Sequence, residues 1–236
     1  MSTSCDDEGV PDDGAAALMN IPNGVRIGIA SGLAVAGVTA LVRLYRPWHL
    51  RWGATDEEVL NDLPGDGVVV DPTFNATRAI TVDAPPEAVW PWIAQMGFGR
   101  AGWYSYDLLD NLGRRSADRL IPSLQDVRVG DVVPMGPGGG GLRVKDFVRG
   151  EWLLWWDGIG YSTWLWSLER IAPEQTRLVT RVRTQYRWNH PAILFGLLLM
   201  EPWDFPMMRK CMLGIKQRVE SASERAQSAP LAAGQQ

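Results

Sequence analysis

The clearest pattern lies late in the chain. From Arg177 to Trp188 the residues alternate: Arg177, Val179, Arg181, Arg183, Gln185 and Arg187 on one side, Leu178, Thr180, Val182, Thr184, Tyr186 and Trp188 on the other. A period of two marks a half-buried strand. The pattern predicts that the arginines face water and the Leu, Thr, Val and Tyr side faces inward. "FNATRAITVDAP" alternates in the same way, with Ala76, Arg78, Ile80 and Val82 against Thr77, Ala79 and Thr81. Strand signals also run through "GDVVPM", "LRVKDFV", "EWLLWWD" and "STWLWSLERI". Turn chemistry at Arg149-Gly150, Asp157-Gly158 and Pro173-Glu174 separates the later ones, which predicts an antiparallel meander. In "EWLLWWD", Trp152, Leu154 and Trp156 share one face and Leu153 and Trp155 the other; in "STWLWSL", Trp164, Trp166 and Leu168 share a face.

Helical spacing appears elsewhere. In "APPEAVWPWIAQMG" the face is Val89, Trp92, Ile93 and Met96, with Pro86 in the first turn, Gly97 as the stop and a bend expected at Pro91. "SYDLLDNLG" reads as a short helix capped by Ser105 and ended by Gly113. "PMMRKCMLGIKQRVESASERA" places Met208, Met212, Ile215 and Val219 on one face. Thr55 and Glu58 have capping-box spacing, and Pro64-Gly65 ends that helix.

Ile27 to Val42 carries no charge. At 1.5 Å per residue it covers roughly 24 Å, short of a hydrocarbon core of roughly 30 Å unless Arg43 snorkels. Gly28, Gly32, Ala36 and Ala40 form a small-residue stripe. The pattern predicts one continuous helix over 27–44 that enters the membrane. Arg43, Arg46 and Arg51 after the run, against Arg26 before it, place the following domain on the cytoplasmic side of the cell membrane as a single-pass protein. The alternatives are a helix docked on a cytoplasmic domain, or a cleaved leader ending near Val38-Thr39-Ala40. The resulting division is a disordered acidic tail (1–24), a hydrophobic helix (25–46), a linker (47–72), a folded domain (73–226) and a disordered tail (227–236).

Composition narrows the functions. Apolar residues make up 46%, enough for a substantial core, and twelve tryptophans imply large rigid apolar surfaces. A net charge of −4 argues against a nucleic-acid partner. Cys5, Cys211, His49 and His190 have no zinc or disulfide spacing. "GPGGGGLR" lacks the Lys-Ser/Thr ending of a phosphate loop and leads into a strand, so it reads as a hairpin connection. No cofactor is expected. His190 is a candidate base with no identifiable nucleophile, and Cys211 reads as a packed thiol. Asp107 and Asp110 stand three residues apart on the short helix. The pair suits either acid–base work or a plain arrangement in which Asp107 accepts near the helix start and Asp110 is solvated. "FGLLLMEPWDFP" reads as a lid, a membrane-touching loop or a docked helix.

The order is strand, two helices, antiparallel meander, long helix. Together with "ITVDAPPEAVWPWIAQMG", "GRAGWYSYDLLDNLGRRSADRLIPSLQDVRVGDVVPM" and "MMRKCMLGIKQRVES", it resembles the SRPBCC superfamily, the START and polyketide-cyclase-like proteins, and within it an uncharacterised subgroup of actinobacterial type. The resemblance covers roughly residues 70 to 225. It implies an α+β helix-grip fold, a curved antiparallel sheet wrapped around a long C-terminal helix, with a cavity for a hydrophobic small molecule such as a lipid or polyketide. The subgroup carries no assigned chemistry. On this basis the expected cavity residues are Trp103, Tyr104 and Tyr106 at the mouth, Trp156 and Trp164 from the tryptophan-rich strands, Thr180, Thr184 and Tyr186 from the last strand, and Met208 and Met212 from the final helix. Three functions follow: binding of a hydrophobic molecule at a membrane surface, a cyclase/aromatase-type enzyme, or a membrane-associated partner-binding protein with a filled core. The sequence does not set the oligomeric state.

Overall fold

The structure is a computed structural model that describes residues 22–186 and 201–228. Most of both predicted tails, Cys5, His190 and the apolar run 195–200 lie outside the described residues. The chain divides into two units, residues 1–47 and 48–236.

In the first unit, α1 spans Asn23–Ala40 and passes into a π-helical turn at Leu41–Tyr45; α2, Arg46–Leu50, follows, with Trp48–Leu50 belonging to the second unit. The predicted uniform helix over 27–44 therefore changes its hydrogen bonding at Leu41. No described helix is long and apolar enough to cross a membrane. Within α1, Gly24, Gly28, Gly32 and Gly37 add almost no apolar surface, and Asn23, Arg26, Ser31 and Thr39 are polar. This overturns the predicted membrane span and the single-pass placement drawn from it.

The second unit is α+β. Six antiparallel strands, β1 (Phe74–Val82), β2 (Val132–Pro134), β3 (Gly141–Val148), β4 (Trp152–Trp156), β5 (Ser162–Ala172) and β6 (Gln175–Thr184), form one sheet in the order β1-β6-β5-β4-β3-β2. The glycine-rich stretch is a hairpin connection: β2 and β3 pair directly, with Val133 opposite Leu142. The sheet's inner face is covered by α4 (Pro86–Ala94) and α6 (Glu201–Ser228), which also pack on each other. Val89, Trp92, Ile93 and Met96 are buried beneath α4, and Met208, Met212, Ile215 and Val219 beneath α6, as their helical spacing requires. α4 runs through Pro91 to Ala94. α6 already includes Glu201–Phe205, ahead of the predicted start at Pro206.

Register decides which tryptophans face inward. Directly opposed residues share a face. Ala76 opposes Val182, Val182 opposes Trp164, and Trp164 opposes Trp155. Trp155 is thus internal, and Trp156 lies on the other face, where the Lys145 ammonium sits 4.1 Å from its ring centroid. The expectation that Trp156 faces the cavity is corrected.

The arginine side of β6 is corrected too. It does not face water, because residues 53–70 cover it. α3 (Asp56–Leu60) starts at a capping box in which Glu58 N–H donates to Thr55 Oγ1 at 3.1 Å and Thr55 N–H to Glu58 Oε2 at 2.7 Å. Arg177 donates to Glu58 and to the Gly53 carbonyl; Arg183 donates to the Val69 and Val70 carbonyls. Arg181 is buried and pairs with Asp66. Leu154 and Leu165 are buried on this side of the sheet. The predicted linker is a covering layer.

Candidate ligand cavity

The loop after α4 is built from local constraints. Gly97 and Gly102 form an isolated antiparallel bridge at φ values of 135° and 81°. A Cβ on Gly102 would lie 2.4 Å from Ser116 Oγ, so the loop closes only with glycine there. Gln95, fully buried, anchors the region. Its Nε2 donates to Tyr104 Oη at 2.9 Å, and its Oε1 accepts from the Ile121 N–H at 2.9 Å and from Gln125 Nε2 at 3.0 Å. Tyr104 Oη donates to the Trp92 carbonyl at 3.0 Å. Tyr104 also takes a left-handed backbone, φ 55°, and its carbonyl presses on Gly214 of α6. The loop leads into α5 (Asp107–Asp110), and Ser105 just before it donates to the Met207 carbonyl of α6 at 3.0 Å.

Between this loop, the first turns of α6, the β2–β3 hairpin and the ends of β5 and β6 lies a cavity of about 680 Å³. Such a volume falls within the roughly 300–1,000 Å³ usual for small-molecule sites. One wall is aromatic. Trp103 stacks on Trp164 at 5.5 Å between centroids and 12° between planes, and Trp155 meets Trp164 edge-on at 5.1 Å. Leu109, Leu142, Val182, Met207 and Met208 supply aliphatic surface, and Trp203 adds another indole. Ser162 Oγ and Thr184 Oγ1, 2.9 Å apart, are paired with each other at one side.

Two carboxylates reach the cavity. Asp204 is held by buried Arg78, whose Nη1 donates to its Oδ2 at 2.6 Å while Nε donates to the His49 carbonyl at 2.8 Å. Asp110 differs. Both of its carboxylate oxygens are buried and, among the described residues, accept no well-aligned hydrogen bond. Burial pushes its pKa upward and the nearby Asp107 carboxylate adds to the rise, while the Ser105 hydroxyl and the backbone N–H groups of Asp110 and Tyr106 temper it; the Ser105 hydroxyl itself donates to the Met207 carbonyl at 3.0 Å. Cys211 lines the cavity with a thiol that burial pushes far up, so it is not a nucleophile.

Of the sequence-predicted cavity residues, Trp103, Trp164, Thr184 and Met208 line this space. Tyr104, Thr180 and Met212 are packed core. Thr180 Oγ1 donates to the Leu165 carbonyl and accepts from Trp164 Nε1, each at 2.9 Å, so it braces the tryptophan wall from behind. Tyr186 packs against the core cluster outside the lining, and Tyr106 is 45% exposed at the surface. Trp156 is on the opposite face. The predicted roles of the aspartates are also revised. Asp107 accepts from Ser116 Oγ at 2.5 Å, Asp110 is not solvated, and Ser105 does not cap α5. Asp110, Ser162 and Leu142 were missed as lining residues; the alternation of β5 places Ser162 beside Trp164, but nothing local in the sequence turns Asp110 inward.

No protein-family model matches the chain, and no curated protein matches it either. Among solved structures it is similar to MLL2253 from Mesorhizobium loti, at 15% identity over 61% of this chain and 97% of that one with a TM-score of 0.34. It is also similar to CV1439 from Chromobacterium violaceum, at 14% identity, 62% and 96% coverage and a TM-score of 0.33. A third is DynU16, a protein of the dynemicin biosynthetic locus, at 18% identity, 64% of this chain, 49% of that one and a TM-score of 0.35. Likenesses this loose carry no argument. The class is defined by the chain's own geometry: an α+β domain with a six-stranded antiparallel sheet, a long C-terminal helix and an apolar cavity between them.

Proposed function

We propose that residues 73–226 form a helix-grip domain of the SRPBCC kind that binds a mainly apolar small molecule in this cavity. The observation that carries the reading is the cavity itself: about 680 Å³ walled by stacked Trp103 and Trp164, with few polar groups. A protein with no ligand to hold gains by filling such a space, since each missing contact is lost dispersion energy.

Thr184→Phe tests it. Thr184 lines the cavity at the end of β6, so a phenyl ring there fills ligand space while the strand pairing with Phe74 and Ser162 is kept. A pyrene-bearing probe, read by energy transfer from Trp103 and Trp164, should bind the wild type and lose at least about tenfold in affinity in the variant. Circular dichroism confirms that the variant is folded. Equal affinity in a folded variant refutes the assignment.

Asp110 favours a second reading, an enzyme of the cyclase/aromatase type, because a carboxyl of raised pKa in an apolar cavity is equipped to move protons. Mass spectrometry separates the two: a binding protein returns its captured host ligand unchanged on incubation, and an enzyme returns it altered.

A further inference from the structure

Resting on the cavity reading above, we infer that the ligand is a lipophilic amine, whose protonated nitrogen sits on Asp110 and whose apolar body lies against Trp103 and Trp164. The starting point is an imbalance. Asp204 has its counter-ion in Arg78, and Asp107 has its donor in Ser116. Asp110 has no counter-ion: among the described residues no cation pairs with it, and the Ser105 hydroxyl and the N–H groups of Tyr106 and Asp110 lie near its oxygens without forming a well-aligned hydrogen bond. Its polar neighbours bring no positive charge, since the Cys211 thiol stays neutral, the Ser105 hydroxyl is committed to the Met207 carbonyl, and the rest are the Asp107 carboxylate and backbone N–H groups.

A carboxylate buried without a partner is costly, and the cost is removed by a donor arriving with the ligand. An ammonium answers it best, because it brings both charge and hydrogen-bond donors. The aromatic wall selects in the same direction. Trp103, Trp164 and Trp203 line the cavity that Asp110 enters, and indole faces attract cations as well as apolar rings. The same charge rejects fatty acids and other anionic amphiphiles, which would set a second uncompensated carboxylate beside the first.

The test uses three probes that share one ring system: pyrenemethylamine, pyrenemethanol and pyreneacetic acid, titrated into the full-length protein at neutral pH. The amine is expected to bind about tenfold or more tighter than the alcohol, the worth of a charge-assisted contact, and the acid most weakly. Asp110→Asn should bring the amine down to the alcohol while leaving the alcohol's affinity as it was. If amine and alcohol bind the wild type equally, the amine inference falls and the cavity reading stands. If none of the three binds, both fall. If Asp110→Asn weakens amine and alcohol alike, Asp110 supports the cavity's shape rather than reading charge, and the inference is overturned.

Discussion

Replacing Arg181 by Met should peel the covering layer from the sheet. Arg181 is 3% exposed and stands at the centre of the outer face. Its Nε donates to Thr77 Oγ1 at 2.9 Å, and its two terminal nitrogens donate to the carbonyls of Asn61 at 3.0 Å, Glu58 at 2.6 Å and Val59 at 3.1 Å, and to Asp66. Breaking a buried pair by removing one partner costs roughly 3–5 kcal/mol, because the other charge is left uncompensated. Here the remaining carboxylate keeps a partner, since Arg183 Nη1 lies 3.3 Å from Asp66 Oδ1. The freed carbonyls of α3 can also reach water once the layer lifts. Methionine fills most of the volume, so little cavity cost is added. The low end, about 3 kcal/mol, is therefore expected. Urea unfolding reads this as a lower midpoint. Hydrogen exchange should locate it, with amides of residues 56–68 exchanging faster while those of β1 and β6 stay protected. A loss below about 1 kcal/mol, the value of an exposed pair, with unchanged exchange would refute the reasoning. The outer arginines would then be surface groups, as their alternation in the sequence suggests.

Two further outcomes follow from close contacts and charge. Gly214→Ala should lower the melting temperature, since the new Cβ would lie 2.2 Å from the Tyr104 carbonyl oxygen. Overpacking of roughly 1–3 kcal/mol exceeds the roughly 1 kcal/mol that alanine gains in helix propensity, so a more stable variant would disprove this close approach. Asp110→Asn should stabilise the unliganded protein at neutral pH. The folded state raises the pKa of Asp110, so its favourable contribution is complete below the ordinary aspartate range and is lost as pH rises through the raised value. The melting-temperature gap between variant and wild type should close on acidification, and a gap independent of pH would refute it.

Alternation and helical spacing carried the fold because they report one variable, which side of an element is dry. They placed the strands, the buried faces of α4 and α6, and Trp164 on the inner face. They failed where a second layer dries a polar side. The β6 arginines read as solvent-facing because their partners, Glu58, Asp66 and the carbonyls of residues 53–70, come from far back in the chain. Trp156 was misplaced for a related reason: both faces of "WLLWW" are apolar, and only pairing with Trp164 reveals that Trp155 is internal. Asp110 was unreadable because the orientation of α5, a single turn, is set by the Gly97–Gly102 bridge, Gln95 and Tyr104 rather than by its own pattern. The hydrophobic run before residue 46 misled through averaging, since freedom from charge is not the same as apolarity when glycine recurs through the helix.

The position of the cavity follows from side-chain size along the inner face. Across β6, β5 and β4 one row holds Val182, Trp164 and Trp155, which is filled, and the row beyond Val182 opposes Ser162 to Thr184. Two small hydroxyl residues in contact with each other cannot reach across to α6, so the space closed elsewhere by indoles stays open at this end. The same cavity receives Asp110, a buried carboxyl with no counter-ion among the described residues. Each feature on its own destabilises the unliganded domain, and a larger apolar residue at Thr184 together with a neutral one at Asp110 would remove both. That the void and the unpaired carboxyl belong to one cavity is what a preorganised binding site requires, since the ligand then supplies in one step the surface and the counter-charge the empty site lacks.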